Sequence, residues 1–283
     1  MAVSVNIDAF KARARILRQI RAFFDGRGFV EVETPVRIAA PAPEPHIDCP
    51  VVEPASGRSF LRASPELQMK KLLAAGMERI YQIGPCFREG ERGRRHAPEF
   101  TMLEWYRANA DYLDILADME GLVAAVLGAA APFCRFTVRE AYLRWAGWDP
   151  FARWDADRFD VDMATKIEPN LPAGPVFLMD YPPAASSLSR LRGDVAERWE
   201  LYVDGMGLAN AFSELVDPAE QSRRFELARE ERRRLGEADY PVDVDFLAAL
   251  GDMPPSGGVA LGVDRLAMLA CGLDDIAVVR MDG

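Results

Sequence analysis

A chain of 283 residues, 49% hydrophobic and 28% charged, is long enough for a full enzyme core and reads as one globular domain over residues 1–283. A formal net charge of -10 and a pI near 4.9 argue against gripping nucleic acid by broad phosphate neutralisation, which needs excess Lys and Arg on one surface. Cys49, Cys86, Cys134 and Cys271 lack paired spacing, and there is no signal-peptide pattern and no apolar run of about 18 residues. The expectation is a protein of the reducing cytoplasm without disulfides, zinc or a membrane span.

From Asp8 to Asp25 the apolar residues Ile16, Leu17, Ile20, Phe23 and Phe24 form the stripe of an amphipathic helix, which stops at Gly26 and Gly28. Phe29 to Glu33 then alternates as a strand and ends at Thr34-Pro35, because proline removes a ladder donor. Ala39 to Pro54, with five prolines, predicts an irregular loop. Ser64-Pro65-Glu66 predicts a helix start, with Ser64 as N-cap and Pro65 at the first helical position. Two strands follow. In the first, Ile80, Gln82, Cys86 and Arg88 share a face; in the second, Phe100, Met102, Glu104 and Tyr106 share one. Each face mixes polar with apolar groups, as the lining of a binding cleft does. The connection from Gly90 to Pro98 is glycine-rich and cationic, suited to folding over a polyanion.

A helix is predicted over Tyr112 to Gly128. Residues 131–175 show no clear period and are a candidate variable insertion. Strands return at Phe177 to Tyr181, Trp199 to Val203 and Leu208 to Leu215, the last two joined at Asp204-Gly205. Parity sets a condition there. With a two-residue turn, Glu200 and Asn210 fall on opposite faces, so a bulge near Gly207 to Ala209 is required if both serve one site. Gln221 to Leu235 is a charged helix, and Gly257 to Leu269 runs from a glycine-rich strand into a helix with Asp264 and Arg265 at the junction.

Three separated segments, in order, resemble the three signature motifs of class II aminoacyl-tRNA synthetases. They are the first helix ending in Phe29-Val30-Glu31-Val32-Glu33-Thr34-Pro35, the stretch from Phe87-Arg88 through His96-Ala97-Pro98-Glu99-Phe100 to Glu104-Trp105-Tyr106, and Gly258-Val259-Ala260-Leu261-Gly262-Val263-Asp264-Arg265. Ser64-Pro65-Glu66-Leu67 and Asn210-Ala211-Phe212-Ser213-Glu214-Leu215 are similar to the lysyl subgroup. The runs at 104–107 and 259–265 resemble its truncated paralogs, which ligate lysine to elongation factor P.

The resemblance implies an α+β fold, an antiparallel sheet flanked by helices, dimeric through the first motif and without an anticodon-binding domain. It implies ATP-dependent activation of lysine or β-lysine as an adenylate, with Mg2+, and transfer to a lysine side chain of elongation factor P rather than to tRNA. Transfer to tRNA or another carrier, or a catalytically inactive amino-acid sensor, is the alternative. Arg88 and Arg265 are implied as catalytic cations, which suits a reaction that forces two anions together. The ATP set is Arg88, Glu89, His96, Phe100, Leu208, Gly262 and Arg265; the amino-acid set is Ser64, Glu66, Tyr106, Asn210, Glu214 and Ala260; Glu200 is the metal ligand. The chain departs from the lysyl pattern in having Gly90 and Gly207 where carboxylates stand, and Ala260 in place of glycine. One methyl in a packed pocket shifts selectivity by roughly 1–3 kcal/mol, so Ala260 is expected to favour a β-amino acid.

Overall fold

A computed structural model of the protein describes residues 6–53, 57–128, 132–186 and 188–280, and the chain forms two compact units. Pro54 and Ala131, which bound the expected loop and insertion, lie outside the described residues. The first unit comprises Met1–Ala108, Val216–Pro254 and Ala260–Gly283; the second comprises Asn109–Leu215 and Pro255–Val259.

The first unit opens with helix α1 (Ile7–Asp25), capped by the Asn6 side chain, which accepts from the Ala9 N–H, and closed at Gly26 as expected. Its buried stripe ends in Phe24, which stacks on Tyr81 with centroids 4.7 Å apart and meets Phe29 and Trp105 at 5.0 and 5.1 Å. This aromatic cluster fixes α1 against the strand pair described next. The strand expected over Phe29 to Glu33 shortens to β1 (Val30–Glu31), because Thr34 turns its N–H and hydroxyl onto Gln82 Oε1. The proline-rich segment leads through β2 (Arg37–Ile38), β3 (Val51–Val52) and β4 (Ser59–Leu61), a small sheet in the order β2-β4-β3. Helix α2 (Glu66–Ala74) begins one residue later than expected, since Pro65 occupies the cap; the Ser64 hydroxyl still accepts the Glu66 N–H, at 3.0 Å.

Strands β5 (Arg79–Phe87) and β6 (Glu99–Ala108) form a long antiparallel pair, with β1 parallel to β5. Ile80 pairs with Tyr106, Gln82 with Glu104, Gly84 with Met102 and Cys86 with Phe100, so the two mixed rows read from sequence are one continuous face. Gly84 is required by packing: a Cβ there would stand 2.8 Å from Nη2 of buried Arg62, which donates to the carbonyls of Thr34 and Pro85.

In the second unit, α3 (Tyr112–Leu127) starts from a reciprocal capping box between Asp111 and Asp114. Gly257 passes so close to that helix start that a Cβ would lie 2.6 Å from the Asp111 carbonyl oxygen. Then come β7 (Cys134–Thr137), α4 (Val138–Ala141), α5 (Ala156–Asp162), β8 (Pro175–Tyr181), β9 (Leu191–Arg192), β10 (Val195–Val203) and β11 (Met206–Ser213). The strand order is β11-β10-β8-β7, with β9 on β10; β7 and β8 run parallel, while β10 runs antiparallel to β8, β9 and β11. The segment without a readable period is a helical layer in which Val138, Ala141, Tyr142, Phe159 and Ile167 pack with Leu178, Tyr181, Ala196 and Tyr202. Its helices are short, and two of its turns, at Tyr142–Ala146 and Met163–Ile167, are π-helical, which erases a 3.6-residue pattern.

The chain re-enters the first unit with α6 (Pro218–Leu235) and α7 (Val244–Leu250); β12 (Ser256–Gly262) starts in the second unit and ends in the first, followed by α8 (Val263–Cys271). Fully buried Arg232 on α6 donates to the carbonyls of Glu44 and Ile47 and to Asp48, pinning the proline-rich segment. The architecture is the expected α+β one, mostly antiparallel strands with flanking helices. Among the described residues, no helix is long and apolar enough to cross a membrane.

Candidate active site

Of the residues singled out from sequence, the first unit carries Ser64, Glu66, Arg88, Glu89, His96, Phe100, Tyr106, Ala260, Gly262 and Arg265. The mixed β5–β6 face positions the central group. Glu104 projects from it, 2% exposed, and is held by two neutral hydroxyls: Ser64 donates to Oε2 at 2.8 Å and Tyr106 to Oε1 at 2.5 Å. Burial, then the nearby Glu66 carboxylate, pushes the Glu104 carboxyl up to about 7. Glu66 itself is met by buried Lys70, at 2.5 Å. Two carboxylates are thus buried beside the Lys70 ammonium, and a cationic ligand would lower the cost of burying their charge. Sequence reasoning gave Glu104 no role, although its two-residue spacing from Tyr106 on one strand face was the available signal.

Arg88 continues the same face beyond β5. It lies 5.3 Å from the Phe100 ring centroid and 3.4 Å from Glu91, and its buried Nε finds no hydrogen-bond partner among the described residues. A buried guanidinium N–H without an acceptor fits an anionic ligand. Glu89 is exposed and contributes a backbone N–H to the Asp48 carbonyl; it is Glu91 that pairs with Arg88. The loop from Gly90 folds back through a Gly93–His96 bridge and is tied down by the Ile276 N–H on the Arg94 carbonyl and by an Arg94–Asp274 ion pair. Desolvation within the loop, then the Arg265 guanidinium, keeps His96 below the ordinary histidine pKa, with Glu91 pulling the other way. Gly262 is the N-cap of α8, and Arg265, in its first turn, donates from Nε to the Arg95 carbonyl. Arg88, Arg95 and Arg265, the three guanidiniums that act on His96, suit a triphosphate.

The second unit carries Glu200, Leu208, Asn210 and Glu214. The β10–β11 hairpin contains the bulge that parity required: Leu201 pairs with Ala209 but Tyr202 with Gly207, leaving Leu208 as the extra residue. Glu200 and Asn210 therefore stand opposite each other. Arg198, unmarked in the sequence reading, bridges them, donating to Glu200 and, from Nε at 2.9 Å, to Asn210 Oδ1; Tyr202 donates to the other Glu200 oxygen at 2.7 Å. Leu208 and Glu214 are both buried. The Asp204 Oδ1 accepts the Gly174 N–H at 2.8 Å. Among the described residues no group of three or more His, Cys, Asp and Glu could hold a metal ion. Glu200 already accepts from Arg198 and Tyr202, so a magnesium ion held there would need further oxygen ligands.

Residues 4–281 match the family model of the class II tRNA synthetases for aspartate, lysine and asparagine (D, K and N). The chain belongs to the class II tRNA synthetase family. Within that family it is 37% identical to the elongation factor P (R)-β-lysine ligase of Proteus mirabilis, over 98% of this chain and 95% of the relative. It is 38% identical to the ligase of the same name from Vibrio cholerae, over 96% and 94%. It is also 38% identical to the lysine tRNA ligase of Moorella thermoacetica, over 92% of this chain and 62% of that one.

Proposed function

We propose that the chain activates a lysine-like diamino acid, β-lysine in preference to α-lysine, with ATP, and transfers it from the adenylate to a lysine side chain of elongation factor P. The observation that carries this reading is Glu104: a buried carboxylate that accepts from the Ser64 and Tyr106 hydroxyls, its pKa raised to about 7, in a corner that a further positive charge would stabilise. The side-chain ammonium of the substrate supplies that charge. Tyr106 and Ser64 then act as positioning donors that leave the remaining lone pairs of Glu104 to the ammonium.

In the first half-reaction the substrate carboxylate attacks the α-phosphate of ATP; the bond to the β-phosphate oxygen breaks and pyrophosphate leaves. Arg88, with an unsatisfied buried N–H, neutralises the approaching carboxylate and the charge developing on the α-phosphate. Phe100 stacks on adenine, with Glu89 and the backbone at Gly262 completing the nucleotide contacts. His96 and Arg265 hold the far phosphates. Glu200 would be the protein carboxylate for a magnesium ion, whose charge would neutralise phosphate oxygens. In the second half-reaction the neutral ε-amine of the acceptor lysine attacks the adenylate carbonyl, an amide forms, AMP leaves and the amine loses its proton. The first motif is assigned to a homodimer contact.

The acceptor is tested by incubating the protein with ATP and labelled β-lysine in the presence of either elongation factor P or lysine tRNA. Label on elongation factor P is expected; label on tRNA alone would overturn the assignment of the acceptor while leaving the activation chemistry intact.

A further inference from the structure

Asp264 stands in the first turn of α8, and its side chain is 2% exposed. A carboxylate in the first turn of a helix ordinarily serves its own N-terminal N–H groups. Asp264 instead serves three distant segments. Arg13, on α1, donates to Oδ1 through Nε at 3.1 Å and Nη2 at 3.0 Å. The backbone N–H of Thr101, on β6, donates to Oδ2 at 2.7 Å, and Arg280, near the C-terminus, donates to the same oxygen at 3.2 Å. Arg13 also donates to the Thr101 hydroxyl at 2.7 Å, closing a ring among Arg13, Thr101 and Asp264.

The covalent neighbours of these groups matter most. Thr101 follows Phe100, and Asp264 precedes Arg265. A bond from the Asp264 carboxylate to the Thr101 N–H sets the spacing between the strand that presents Phe100 and the helix that presents Arg265. The two guanidiniums hold the carboxylate in place, and each bond is charge-assisted and shielded from water. A rigid spacing here has a kinetic consequence, because displacing a binding group by about 1 Å can cost on the order of 100-fold in rate.

We propose that Asp264 is a positioning residue for ATP, which locks Phe100 and Arg265 at the separation the nucleotide needs while touching no substrate; this rests on the reading that Phe100 and Arg265 contact ATP. Arg13 and Arg280 are the two arms that hold it.

The test measures pyrophosphate exchange for Asp264→Asn, Arg280→Gln, Arg265→Ala and the double variant Asp264→Asn with Arg265→Ala, with KM determined separately for ATP and for the amino acid. Asp264→Asn should raise KM for ATP at least tenfold and change KM for the amino acid by less than twofold. Arg280→Gln should show the same selectivity with a smaller rise. In the Arg265→Ala background, Asp264→Asn should add much less than it costs alone. A folded Asp264→Asn protein whose two KM values rise together, or whose loss multiplies fully with that of Arg265→Ala, overturns the proposal. If Asp264→Asn does not fold, Arg280→Gln with ATP KM within twofold of the parent overturns it. Arg265→Ala with unchanged KM for ATP would instead refute the ATP-site reading beneath it.

Discussion

Tyr106 and Glu104, two residues apart on one face of β6, are joined by a hydrogen bond from the phenol to the carboxylate at 2.5 Å. The bond leaves an acidic group in a buried corner whose other donor, Ser64, is also neutral. Such a corner costs stability until a cation enters.

Glu104→Gln should therefore separate stability from activity. Losing one partner of a buried charged pair costs about 2–5 kcal/mol of binding, so KM for the diamino acid should rise by at least 30-fold. The ligand-free protein should be as stable as the parent at pH 8 or more so, since the amide carries no charge to bury. Exchange kinetics and thermal unfolding of the same preparation check both halves.

The pH dependence has a defined sign. With the folded carboxyl raised from 4.5 to about 7, the folded state holds a proton that the unfolded state has lost. The stability contributed by this group is present below pH 4.5 and falls as pH rises through about 7, by roughly 3 kcal/mol in all. A bound ammonium reverses the loss. The rise in melting temperature caused by β-lysine should be larger at pH 8 than at pH 6, and scans at the two values, with and without ligand, measure it.

Arg88→Ala and Arg265→Ala should each reduce kcat/KM for exchange by at least 100-fold, in line with removing a charge-stabilising donor at a reacting phosphate. Circular dichroism should be unchanged. Arg88→Lys should fail to rescue, because a lysine cannot reproduce a planar guanidinium that sits over the Phe100 ring, 5.3 Å from its centroid, with an N–H to spare.

Ala260 stands half-buried on β12. Ala260→Gly should move selectivity from β-lysine toward α-lysine by about 10- to 200-fold, the range one methyl supplies. Competition between the two amino acids in exchange assays gives the ratio directly.

What could be read from the chain followed from how local its causes were. The helix ending at Gly26, the mixed faces of β5 and β6 and the bulge demanded by Glu200 and Asn210 are matters of period, turn length and parity, all written in consecutive residues. Arg62, Arg198 and Arg232 went unmarked because each is an ordinary surface residue by composition. Arg62 and Arg232 are buried, and Arg198 half-buried, by partners that only folding assembles, such as the carbonyls of Thr34 and Pro85 for Arg62. Glu104 was visible on the right face, but its importance lies in the Ser64 hydroxyl brought to it from 40 residues away. The helical layer around Tyr142 and Phe159 was illegible for a different reason: its helices are too short, and its π turns too irregular, to establish a period.

The most direct test is ATP and pyrophosphate exchange with α-lysine, each β-lysine enantiomer and no amino acid, at controlled magnesium. Exchange that depends on a diamino acid, is strongest with a β-lysine and is lost in Glu104→Gln is the result expected of this site. No exchange with any lysine analogue, or exchange indifferent to Glu104, would contradict it.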